Sequence, residues 1–145
     1  MTIHDTAIPH IDTALEPFAG ADELRQRWRA LMGPLGFSES LLWFSVIDTD
    51  NRFGPPLHQV ELPALPDDVL SDLLMSNLGR TLGEIRELSV AMLLTRPGRD
   101  GVTADDMTWA QMLTRDARRH GVRLHPIHRA NDSELVALTI ADAAA

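Results

Sequence analysis

The residues of this chain best suited to chemistry are arginines and histidines. Arg96 and Arg99 lie in a loop after an apolar run, and Arg129 follows His125 and His128 near the C-terminal end. Guanidinium groups converging from two loops would hold an anion, and a histidine with an ordinary pKa near 6.5 would move a proton beside it. Arg96, Arg99, His125, His128 and Arg129 are therefore the candidate ligand-binding residues. The group would serve a small anionic ligand or a reaction on one. The competing reading is a solvated basic face. Arg115, Arg118, Arg119 and Arg123 crowd one helix end, where the dipole favours cations without any ligand.

Other chemistries find less support. Six histidines invite a metal, but His125 and His128 at i and i+3 on an extended segment point to opposite faces unless Pro126 bends the chain. His4, His10, His58 and His120 are scattered, so no metal site and no cofactor is expected. Asp48-Thr49-Asp50-Asn51 resembles the opening of a calcium loop but lacks the later glycine and glutamate; a turn between strands explains it better. There is no Gly-x-Ser-x-Gly elbow, and Arg96-Pro97-Gly98-Arg99-Asp100-Gly101 lacks the lysine of a phosphate loop.

Gly79 and Gly83 form a different kind of candidate. Each costs a helix interior about 1 kcal/mol relative to alanine, and at i and i+4 they share a face. That face admits a second backbone, belonging either to the protein's own core or to a second copy of the chain.

These residues require elements to position them. Leu24, Trp28 and Leu31 recur at helical spacing after Asp22, predicting a helix from about Asp22, as its cap, to Met32, ended by Gly33-Pro34. Leu41 to Ile47 is almost continuously apolar, the mark of a strand buried on both faces. An alternating strand from Leu57 to Leu62 follows a turn and should pair with it antiparallel. A second helix is expected over Asp67–Glu87, a strand over Ser89–Leu94, and a third helix after Thr103, closed by Gly121. Strands over Val122–His128 and Leu135–Ile140 complete the order α-β-β-α-β-α-β-β. The expected fold class is α/β (α+β), a mixed sheet of about five strands with about three helices packed on it. Residues 1–20, with Pro9 and Pro17 and little periodicity, read as a polar, flexible arm; 21–140 as one domain; 141–145 as a frayed tail.

Composition sets outer limits. With 145 residues the chain suits one domain. A formal charge of −8 argues against general nucleic-acid binding. All 13 basic residues are arginine, which removes lysine chemistry, and the absence of cysteine removes disulfides and thiolate sites. No run reaches the ~20 apolar residues of a membrane span, and the first residues lack a signal-peptide pattern. A cytoplasmic location is the expectation.

From Ser38 to about Leu138 the pattern resembles the RadC-type JAB (MPN-like) domain. The corresponding stretches are Leu94-Thr95-Arg96-Pro97-Gly98, Thr103-Ala104-Asp105-Asp106 and Gly121-Val122-Arg123-Leu124-His125-Pro126-Ile127, with Ser133 near a serine of that pattern and Glu39 where its catalytic glutamate would fall. The resemblance implies a shared fold. It does not imply metal-dependent hydrolysis, because Leu94 and Arg96 stand where the family has its metal-binding histidines, and no aspartate stands beside Leu124. The chain is similar, too, to small uncharacterised proteins of actinobacteria, which implies no activity. The function expected is a non-enzymatic domain that binds a protein partner, a homodimer included; the alternative is the anionic-ligand site of the Arg/His group.

Overall fold

The computed structural model describes residues 8–82, 85 and 87–140. Among these residues five strands form one mixed sheet: β1 (Leu41–Ile47), β2 (His58–Glu61), β3 (Ser89–Thr95), β4 (His128–Ala130) and β5 (Leu135–Ala137). Their spatial order is β2-β1-β3-β4-β5. Only the β3–β4 pair is parallel; the others are antiparallel. Among the described residues three α-helices accompany them: α1 (Gly20–Met32), α2 (Asp68–Leu82) and α3 (Ala104–Arg119). The mixed sheet with three helices agrees with the sequence pattern.

The helices lie on both faces. Leu42 and Phe44 of β1 and Val90, Met92 and Leu94 of β3 pack against Met75 and Leu78 of α2 and Trp109, Ala110 and Leu113 of α3. The alternate residues Ile47, Ala91, Leu93, Ala130 and Leu135 pack against Leu24 and Trp28 of α1. This two-sided cover explains the continuous apolar character of β1 and β3, since a strand buried on both faces cannot alternate.

Several boundaries differ from expectation for identifiable reasons. Helix α1 begins at Gly20, after Ala19, so Asp22 is not its cap. Instead Asp22 accepts from Arg25, and Glu23 accepts from the Ala19 N–H at 2.8 Å. The strand expected over Val122–His128 is reduced to His128–Ala130, preceded by a single bridge between Val90 and Leu124. Pro126 lies between them and has no N–H to give the ladder. The ordered domain also starts earlier than residue 21. A 3-10 helix over Ile11–Leu15 buries Ala14, and Phe18 packs on Phe53 and His125. The first seven residues and the 141–145 tail lie outside the described residues.

Candidate interaction site

Two features meet where β3 ends and α3 begins, and a third lies at β2, the outer strand of the sheet. The first is a buried charge network. Thr103 caps α3, its hydroxyl accepting from the Asp106 N–H at 3.1 Å while Asp106 accepts from the Thr103 N–H at 2.9 Å. The reciprocal bonds satisfy two otherwise orphaned helix donors. The same carboxylate receives Arg96 through two bonds of 2.8 Å and Arg129 Nε at 3.2 Å. Arg96 spends its remaining donors on Asp100 Oδ1, the Pro97 carbonyl and the Gly101 carbonyl. Arg129 is wholly buried and gives Nη2 to Glu134 at 2.9 Å; its Nη1 has no partner among the described residues. Burial pushes the Asp106 carboxyl up, but the Arg96 bonds and the Thr103 N–H outweigh it, leaving the pKa lowered. Arg96 is correspondingly raised, chiefly by its bonds to Asp106.

Two of the five candidate ligand residues therefore converge, but on a carboxylate of their own chain. Arg99 is exposed in the adjoining loop, where its carbonyl accepts weakly from Ser133 at 3.5 Å. His128 neighbours Arg129 in β4 and so faces the opposite side of the sheet, toward the Ala21 and Pro126 carbonyls, each 3.2 Å from a ring nitrogen. His125 sits near the start of β3, its Nε2 2.8 Å from Ser89 Oγ and its ring edge-on to Phe18. Burial lowers the pKa of both histidines. The five residues do not surround a common cavity. No sequence signal marked the Ser89–His125 pair, because the two are brought together only by the β3 register. The cavity wall that His125 lines includes neither Ser89 nor a carboxylate.

Of the residues carrying the family resemblance, Leu94 is a core side chain and Arg96 is the guanidinium just described. No cluster of three metal-ligating side chains occurs among the described residues.

The second feature is a cavity of about 270 Å³ beside this network. Leu62, Pro63 and Ala64 after β2, Leu94 of β3 and Trp109 of α3 form its apolar wall; Ser40, Thr103 and Asp105 supply polar groups. Leu65, next to it in the chain, is 70% exposed.

The third is the outer edge of β2, which pairs with no further strand among the described residues. The Leu62 N–H donates to the Ser40 carbonyl at 3.0 Å. Backbone groups alternate in direction along a strand, so His58, Val60 and Leu62 turn theirs toward β1, and Gln59 and Glu61 turn theirs outward. The side chains of His58, Val60 and Leu62 share the cavity face, as the stacking of His58 on Phe44 attests. Sequence reasoning placed β2 correctly but missed that its end borders a cavity, because the cavity's far wall comes from α3.

Gly79 packs internally. A Cβ there would lie 2.5 Å from the His120 carbonyl oxygen, so the close approach it permits is between α2 and the end of α3 in one chain. Gly83 lies outside the described residues. None of the described helices is long and apolar enough to cross a membrane. Comparisons with protein-family models, curated proteins and solved structures find no match.

Proposed function

We propose that this chain is a non-catalytic protein-interaction domain that receives an extended segment of a partner along β2. The carrying observation is the outward row of backbone donors and acceptors at Gln59 and Glu61 on the outermost strand of the sheet. Strand addition takes affinity from main-chain hydrogen bonds and specificity from pockets for alternate side chains. Just past the end of β2, Leu62 borders the cavity that Leu94 and Trp109 also line. A four-residue edge bounded by Pro55-Pro56 and Pro63 restricts pairing to a few rungs, a common safeguard against indiscriminate aggregation. The cysteine-free composition suits a cytoplasmic setting.

The alternative of an anionic-ligand site built on Arg96, Arg99, His125, His128 and Arg129 draws less support. Arg96 and Arg129 are engaged by Asp106, Asp100 and Glu134, and the histidines lie elsewhere. A homodimer through Gly79 is likewise disfavoured by its contact with His120. Self-association through β2 remains compatible with the reading.

The test is selection of extended peptides displayed on a neutral scaffold, followed by amide-exchange mapping. Protection at Gln59 and Glu61, lost in Gln59→Pro with the fold intact, supports the proposal. Selected peptides that protect only residues remote from β2 would overturn it.

A further inference from the structure

Strand addition at β2 is the premise, and the helix layer beside that edge narrows which partner fits it. Val60 and Leu62 point to the face of the sheet that α2 covers, and pack on the same core as Leu70 and Leu74 of that helix. One flank of α2 is taken by α3: Asp68 pairs with Arg115, Asp72 with Arg119, and Gly79 lies close against the His120 carbonyl. At about 100° per residue, the other flank carries Leu70, Leu73, Leu74, Asn77 and Thr81. Because α3 runs between β3 and β4, the flank turned away from it is on the β2 side. Leu70 and Leu74 are half-buried there, and Leu73 is 56% exposed. Asp68 and Asp72 stand on the α3 flank, so in a chain of net charge −8 the β2 side of this helix is neutral and largely apolar.

An isolated strand laid on β2 would cover the edge and leave that flank bare. Covering both requires a partner whose own edge strand lies beside a helix on the same face, and this chain has that arrangement itself. We infer that the partner is a second copy of the chain, joined β2 to β2 about a two-fold axis at Val60. A two-fold normal to the sheet makes the two strands antiparallel, keeps the helices on one face and sets α2 beside its copy. Centred on Val60, the register places Gln59 of each copy across from Glu61 of the other, and the outward backbone groups of both residues are paired. A register centred on Glu61 would set two carboxylates face to face, which weakens pairing. One centred on Gln59 would set Glu61 against Leu57, outside the strand. The Val60 register avoids both. It also brings the two Val60 side chains together on the helix face, in the closer, non-hydrogen-bonded type of pair.

Sedimentation of the full chain across a concentration series, with amide exchange at Gln59 and Glu61, tests this. A dimer protected at both amides is expected, and added salt should tighten it by screening two acidic chains. Leu73→Glu, at an exposed position, should weaken association by about tenfold or more with the monomer still folded. The cysteine-free sequence allows the register to be read directly. Facing residues of a non-hydrogen-bonded pair have Cα atoms about 4.5 Å apart, within disulfide reach. Val60→Cys should therefore cross-link to its copy under glutathione disulfide, whereas Gln59→Cys and Glu61→Cys, each two residues out of register with its own copy, should not. A Glu61→Cys cross-link in place of the Val60→Cys one would overturn the two-fold at Val60. A chain that stays monomeric while extended peptides protect β2 would overturn the second copy as partner and leave strand addition standing. A dimer whose Gln59 and Glu61 amides exchange freely would overturn the inference as well. A monomer that no extended peptide protects at β2 would remove both readings.

Discussion

Arg96 and Asp106 face each other fork to fork, Nε on Oδ1 and Nη2 on Oδ2, both at 2.8 Å. The pair ties the end of β3 to the first turn of α3, and Arg129 of β4 joins the same carboxylate. Arg96 and Arg129, two of the five side chains that the sequence offers as an anion site, are thereby the fastening of a parallel β-α-β connection. A parallel pair needs a crossover, and the network pins this one at its entry.

Removing the shared carboxylate should be far more damaging than removing the cap beside it. Asp106 is 5% exposed and Arg129 wholly buried, so Asp106→Ala leaves a buried guanidinium with Glu134 alone. A loss of about 3–5 kcal/mol is expected, the range for breaking a buried ion pair from one side. Thr103→Ala should cost about 1 kcal/mol, as for an ordinary N-cap. Denaturant unfolding of both variants measures the contrast. Because the folded pKa of Asp106 is lowered, its contribution is present above the unfolded value near pH 3.9 and lost as acid carries the solution through the folded value. Asp106→Ala should therefore flatten the acid limb of the stability curve. Equal costs for the two variants would show that the network is not the fastening described.

The mixed sheet and its helices were legible because local signals agreed: the unbroken apolar run Leu41–Ile47, the Thr103 cap, and Gly121 at φ 72° closing α3. The roles of Arg96 and Arg129 were not. A guanidinium looks the same in sequence whether its partner is solvent, a ligand or Asp106, and that partner is set by the β3–β4 register. The border between β2 and the cavity was hidden for the same reason. Trp109 and Leu62 are far apart in the chain and meet only once α3 packs on the sheet.

Gly79→Ala separates packing from association. On an exposed helix alanine would stabilise by about 1 kcal/mol. Here its Cβ meets the His120 carbonyl oxygen at 2.5 Å, a backbone atom that cannot rotate away. A net loss of about 1–3 kcal/mol is expected, typical of overpacking, with no change in oligomeric state by light scattering. A stabilised variant, or one whose association changes, would contradict the internal contact.

A second buried carboxylate joins α2 to α3. Ser71 Oγ donates to Asp116 Oδ2 at 2.7 Å, both residues wholly buried. The bond adds a buried link to the more exposed pairs Arg115–Asp68, Arg119–Asp72 and His120–Asp72, which also join the two helices. Among the described residues, Ser71→Ala leaves that oxygen with the longer 3.3 Å contact from Arg115 Nη2 alone. A cost of about 1–3 kcal/mol is expected from leaving a buried charged acceptor short of a donor. Chemical denaturation checks it, and a neutral result would place water in the hydroxyl's role.

His128 should make the fold sensitive to mild acid. Its two ring nitrogens face the Ala21 and Pro126 carbonyls, while burial lowers its pKa, with Arg25 adding to the lowering and the carbonyl bonds and Asp22 opposing it. The folded state therefore holds the neutral ring, and the unfolded chain takes up the proton below about pH 6.5. Stability contributed by the neutral form is intact above that value and declines as pH falls toward the folded pKa, by at most about 1.4 kcal/mol per pH unit for one proton. His125 is lowered by burial and by Arg123, so it shifts the curve in the same sense. Unfolding measured across that range should show the decline. His128→Gln, which keeps a hydrogen-bond donor without a titrating group, should reduce the slope even where it lowers overall stability. An unchanged slope in that variant, with His125 intact, would assign the acid sensitivity to the His125–Ser89 pair instead.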